Sequence, residues 1–245
     1  MSRATLQPTA EPLAIRPPSP GDHAPREQPR TRIYPISRWY LLPIAERLAS
    51  RLAATRVRPV HVTLTGLGLG LAAAGWLLAD PSGGPVAAGL VLAAWMMDRT
   101  DGALARRQGT GSVFGQWLDA NVDELNEVAW HTAAAYAAAA LGQTPLPWFL
   151  LIAFLGGQRF FMKNLAEQRL LEKAAERQPA AWPERLGWLR AAYHLPGDAD
   201  IRLHLLAAAL ASGLITVELA AVAIYYNLRW IARFGLVARR LGGTL

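Results

Sequence analysis

From Asp98 to Asp123 the chain reads DRTDGALARRQGTGSVFGQWLDANVD. Asp98 and Asp101 are three residues apart and Asp119 and Asp123 four apart, so each pair falls on one face of a helix. Apolar sequence flanks the stretch: Val86 to Met97 before it, and the remainder of a helix predicted from Val113 to Leu141 after it. A break at Gly109, Thr110, Gly111 and Ser112 separates the two pairs. Carboxylates gathered at the ends of neighbouring apolar helices repel one another unless something positive sits among them. Ionised groups at membrane depth also cost about 2.5–3.5 kcal/mol each. No run of Lys lies nearby. Divalent cations would neutralise the cluster, and all-oxygen ligands suit Mg²⁺ or Mn²⁺ better than zinc. A solvated helix end with incidental acidic residues accounts for one or two aspartates, but not for two helically spaced pairs.

Outward from this stretch, apolar blocks of about membrane-spanning length recur. The first is 60–79, rich in Gly and Ala, which let helices approach closely and are compatible with a homodimer. DPSGGP turns it into the second, from Val86, and GQTPLP joins the third to a fourth at 147–170. After a polar stretch at 171–200 come apolar segments near 203–216 and 217–237, divided around Gly213 and Thr216. The expected fold class is therefore an all-α integral membrane protein with six transmembrane helices. Loop charges agree with that count. DPSGGP and GQTPLP hold no Lys or Arg, whereas the loops after spans two and four and the C-terminus are rich in Arg. By the positive-inside bias both termini and the aspartates face the cytoplasm of a cell (inner) membrane.

Ahead of the spans, Ser37 to Arg56 places Leu and Ala on one helical face and Arg on the other, as in an amphipathic helix lying in the interface. Residues 1–36 are read as a disordered tail: the first 33 hold seven of the seventeen prolines and lack the apolar core of a signal peptide. The membrane domain is read as 37–240, with a C-terminal tail at 241–245. The net charge of +7 comes almost wholly from Arg and flanks apolar blocks, which points to anionic lipid and not to nucleic acid. The absence of Cys excludes disulfides, thiol nucleophiles and Cys-ligated zinc.

The Asp98–Asp123 stretch resembles the signature of the CDP-alcohol phosphotransferases (CDP-alcohol phosphatidyltransferases), D-x2-D-G-x2-A-R-x8-G-x3-D-x3-D. Asp98, Asp101, Gly102, Ala105, Arg106, Gly115, Asp119 and Asp123 meet every fixed position. With each residue type at about one in ten, a chance match in a chain of this length is on the order of 10⁻⁶. The six-span layout and the preceding interfacial helix also resemble this family. A second family pattern, P-N/D-x-V-T, is approached at Pro59-Val60-His61-Val62-Thr63, where Val60 stands in place of Asn or Asp and His61 is a substitute contact.

The resemblance implies an enzyme of phospholipid biosynthesis in which Asp98, Asp101, Asp119 and Asp123 hold two divalent cations, Mg²⁺ or Mn²⁺. It further implies that Asp123 is the general base on the acceptor hydroxyl. Thr63, His61, Gly102, Ala105, Arg106, Ser112 and Gly115 would contact the donor nucleotide. The leading expectation is transfer of a phosphatidyl group from CDP-diacylglycerol to a soluble alcohol, with release of CMP. Arg159 with Lys163 and Arg229 with Arg233, each four apart at membrane depth, are candidates to bind an anionic acceptor such as a phosphorylated polyol, or else snorkel to the interface. Glu127 and His131 continue the Asp119–Asp123 row and are expected to pair with each other. Alternatives are a soluble CDP-alcohol donor acting on a lipid or polyol-phosphate acceptor, a divalent-cation transporter, and an inactive scaffold. The acidic residues concentrate at helix ends and do not continue through the membrane, which disfavours the transporter.

Overall fold

The computed structural model describes residues 34–174 and 193–240. Residues 1–33 of the tail expected at 1–36, the tail expected at 241–245, and most of the polar stretch at 171–200 lie outside the described residues. Among them there are seven helices and no strand: α1 Leu41–Ala53, α2 Pro59–Ala79, α3 Gly84–Gln108, α4 Val113–Gly142, α5 Leu146–Ala174, α6 Ala199–Ser212 and α7 Ile215–Arg240.

Local chemistry sets most of these boundaries. Pro59 opens α2 with its φ already helical, and Pro85 does the same in the first turn of α3. The amphipathic segment runs as a short 3₁₀ turn at Ser37–Trp39 followed by α1. α3 continues past the apolar run and stops at Gly109, whose φ of +63° is the left-handed cap that glycine adopts without strain. Ser112 then caps α4 by accepting from the Gly115 amide at 3.0 Å. The expected break near Gly213 and Thr216 falls at Gly213, φ +77°, so the apolar segment expected at 203–216 begins earlier and ends sooner, as α6.

α2 packs against both α3 and α4, whereas α3 and α4 make little direct contact with each other. A cleft therefore opens between them over the α2 surface. The approach of α2 to α4 is close: a Cβ on Gly70 would lie 2.1 Å from Asn126 Oδ1, and Trp130 Nε1 donates to the Gly70 carbonyl at 3.0 Å. Leu77, Val91, Phe154, Leu206, Leu210 and Leu219 are fully buried in one continuous core. α5 pairs with α7, tied by Asn227 Nδ2 donating to the Ala153 carbonyl at 2.8 Å. α1 lies against α3, where Ala49, Val62, Ala103 and Leu104 form a smaller cluster.

The exterior is apolar over long stretches: Leu64, Leu71 and Leu78 on α2, Phe149 and Ile152 on α5, and Val217, Ile224, Leu228 and Ile231 on α7 are all exposed. Among the described residues, α2 alone is both long enough and apolar enough along its length to cross a bilayer unaided.

Candidate active site

The cleft is lined by Thr63 and Gly66 from α2, by Ala94, Trp95, Asp98 and Asp101 from α3, and by Asp119, Val122, Asp123, Asn126 and Trp130 from α4. α3 delivers its two aspartates in its second half, and α4 delivers its two in its first half. Because Gly109–Ser112 reverses the chain between them, the two acidic faces meet across the cleft. Oxygens of Asp98, Asp119 and Asp123 lie within 4.8 Å of one another.

Asp101 stands slightly apart. Its Oδ2 accepts from Thr63 Oγ1 at 2.5 Å, so Thr63 fixes a carboxylate from the α2 side. Asp98 is paired with Arg99, which is itself buried and clamped by ring faces, 3.9 Å from Trp95 and 4.3 Å from Tyr34. Arg99 thus partly balances the acidic set and orients one member of it. Asn126 is buried in the cleft wall, and its Oδ1 has no hydrogen-bond partner among the described residues. Carboxylate oxygens and an orphaned amide oxygen make a donor set of hard ligands, and the cleft holds about 10 Å³ of space, close to the volume of a single water or small ion. The residues present fit Mg²⁺ or Mn²⁺.

A second, larger cavity of about 140 Å³ adjoins the cleft. Asp123, Trp95 and Trp130 line both spaces. Glu127 does not pair with His131 as its i,i+4 spacing suggested. It is bound to Arg202 of α6 and accepts from Gln158 Nε2 at 3.2 Å, because the cavity brings α6 and α5 to its face of α4. His131 instead directs Nε2 at Glu218 of α7, 3.5 Å away, and donates Nδ1–H to the Glu127 carbonyl at 2.8 Å.

The other sequence candidates divide by location. Gly102, Ala105 and Arg106 follow the cleft along α3, and Arg106 is exposed and 3.6 Å from Glu46 of α1. Arg107 also meets Glu46, at 2.7 Å. Ser112 and Gly115 form the α4 cap. His61 is exposed and accepts from the Arg58 amide at 3.2 Å, closing the start of α2. Arg159 and Lys163 are exposed on α5, with Lys163 near Glu167 at 3.7 Å. Arg229 is buried, donating to Tyr225 Oη at 2.7 Å beneath Phe161, and Arg233 donates to Gln168 Oε1 at 2.6 Å. None of these four lines the cleft or the adjoining cavity. Asn126, Trp95, Trp130 and Arg202 line them and were not singled out from the sequence. Asn126 and Trp130 do continue the Asp119–Asp123 face at helical spacing, whereas nothing local marks Arg202.

Residues 56–232 match the family model described as CDP-alcohol phosphatidyltransferase. Among solved structures the chain is similar to Mycobacterium tuberculosis phosphatidylinositol phosphate synthase (PgsA1), solved with CDP-DAG bound. The TM-score is 0.58 at 21% identity, over 80% of this chain and 94% of that one. At that identity the likeness speaks to the helical fold. No curated protein matches. The family match takes in the aspartate signature, the helices that carry it and most of the chain, and on that ground the protein belongs to the CDP-alcohol phosphatidyltransferase family and is a phosphotransferase.

Proposed function

We propose that the chain transfers a phosphatidyl group from CDP-diacylglycerol to a small alcohol bound in the 140 Å³ cavity, releasing CMP at the cleft. The observation that carries this reading is the position of Asp123 on the wall shared by the two spaces. One side faces the carboxylate cluster, where a diphosphate would lie, and the other faces a pocket of suitable size for an alcohol. The family membership and the CDP-DAG bound to the similar synthase support the choice of donor.

Asp98, Asp119 and Asp123 would hold divalent cations, with Asp101 beside them. Bound there, such ions would supply charge neutralisation for the donor diphosphate. Asp123 takes the proton of the acceptor hydroxyl. The hydroxyl oxygen forms a new bond to the phosphorus that carries diacylglycerol, and the bond from that phosphorus to the bridging oxygen breaks. CMP leaves with the bridging oxygen. Thr63 holds Asp101 and Arg99 holds Asp98, so neither carboxylate has to be ordered during the reaction. Gly102, Ala105, Arg106, Ser112 and Gly115 would receive the nucleotide. Arg106 offers a fork of donors to a phosphate once it leaves Glu46.

The setting is proposed as a single membrane domain over 37–240, with α2 to α7 as its six crossings and both termini and the cleft cytoplasmic. The exposed apolar side chains on α2, α5 and α7 support it, because a soluble surface rarely carries so large an apolar area. Incubating membranes that contain the protein with CDP-diacylglycerol, Mg²⁺ and a panel of alcohols should release CMP. Asp123→Asn should slow that release by about 10²–10⁴-fold. Equal rates in parent and variant would remove Asp123 from the role of base.

A further inference from the structure

The charges around the 140 Å³ cavity bear on which alcohol it admits. The volume is close to that of an engineered apolar cavity of about 150 Å³ that takes up one benzene molecule, so the acceptor is compact. Among the described residues, the ionisable groups on its wall are Asp123, Glu124, Glu127, His131 and Arg202. Three carboxylates thus face one guanidinium.

That guanidinium is already committed. Arg202 donates through Nη1 to Glu127 Oε1 and through Nη2 to Oε2, the latter at 3.3 Å. The two side chains are only 12% and 16% exposed. Gln158 holds the same Glu127 oxygen from α5, so the carboxylate is fixed from two helices. A phosphate monoester carries between one and a half and two negative charges at neutral pH. To gain Arg202 it would have to displace Glu127 and leave that carboxylate unpaired and largely buried, which is a heavy penalty. Without Arg202 it would face Glu124 and Glu127 directly. His131 offers no alternative donor, since Nδ1–H is held by the Glu127 carbonyl and Nε2 faces Glu218.

We infer that the acceptor is a compact alcohol without a phosphate group, and that the Arg202–Glu127 pair, with Glu124, excludes phosphorylated alcohols. This rests on the reading of the chain as a CDP-diacylglycerol-dependent transferase. Hydroxyls of such an alcohol can donate to Glu124 and Glu127 while the pair stays intact, which a phosphate cannot do.

The test measures CMP release from CDP-diacylglycerol with matched acceptors, glycerol against glycerol 3-phosphate and inositol against inositol 1-phosphate. The parent alcohol of at least one pair should exceed its phosphate in kcat/KM by about tenfold or more, as like-charge exclusion predicts. Glu127→Gln, which frees Arg202, should narrow that ratio through a lower KM for the phosphate. Glu124→Gln, at the exposed edge of the cavity, should narrow it in the same direction without disturbing the buried pair, so a misfolded Glu127 variant does not stop the test. Preference for the phosphorylated member of both pairs, or a ratio unmoved in every variant that folds, overturns the inference and leaves the transferase reading intact. CMP released with no acceptor at all overturns both.

Discussion

Trp95 belongs to two polar centres that are built in opposite ways. Its ring lines the carboxylate cleft, while its Nε1 donates to Ser37 Oγ at 3.0 Å and Asp200 Oδ1 at 3.2 Å. On the Asp200 side every acceptor is answered: the Ile36 and Ser37 amides reach Oδ2 at 2.8 and 3.0 Å, and the Ser37 hydroxyl bonds Oδ1. That knot ties the entry to α1, α3 and α6 together with nothing supplied from outside. On the cleft side three carboxylates converge with Arg99 beside them, and Asn126 Oδ1 has no hydrogen-bond partner among the described residues. A satisfied polar network is a structural joint, whereas converging half-buried carboxylates beside a buried, unpartnered amide oxygen make a site waiting for positive charge.

The sharpest way to break this contrast is to remove the cation. Chelation should take CMP release to background, and Mg²⁺ added back should restore it and raise the melting temperature. In Asp98→Asn the Mg²⁺ concentration needed should rise by at least about tenfold, the loss that removing even a supporting group of a metal site brings. An unchanged Mg²⁺ response in that variant would mean that the cluster does not hold the ion.

Asp200→Ala should act in the reverse sense. It strands the amides of Ile36 and Ser37 and the Ser37 hydroxyl, so denaturant unfolding in detergent should show a loss of about 3 kcal/mol, with the Mg²⁺ response of the folded fraction preserved. A loss under about 1 kcal/mol would show the knot to be incidental.

The two centres also differ in how far they were legible in the sequence. The cleft is assembled from neighbouring elements whose ends are marked by Pro59, Gly109 and Ser112, and its aspartates repeat at helical spacing, so its outline could be read from one short stretch. The knot joins Ser37 to Asp200, 163 residues apart, and no local pattern announces that. The same limit explains Glu127 and His131. Spacing of four places them on one face of α4, but which neighbours cover that face is a tertiary matter, and they turn to Arg202 and Glu218. It explains the basic pairs as well: periodicity shows that Arg159 and Lys163 share a face and that Arg229 and Arg233 share another, but not which face is covered. Arg229 is buried and the α5 pair is exposed.

The smallest expected effect isolates the meaning of one orphaned atom. Asn126→Leu keeps the shape of the side chain against Gly70 and removes the unpartnered Oδ1 from the cleft wall. If that oxygen is only an unsatisfied acceptor, its removal relieves a desolvation penalty, and the cation-free protein should be as stable as the parent or more so, by up to about 1 kcal/mol. If the oxygen is kept because something donates to it or is ligated by it in the loaded site, the order should reverse once Mg²⁺ and CDP-diacylglycerol are added, with the parent gaining more in melting temperature. A variant that is less stable than the parent under both conditions would place Asn126 with the knot, as a packing element. A crossover between the two conditions would place it with the carboxylates.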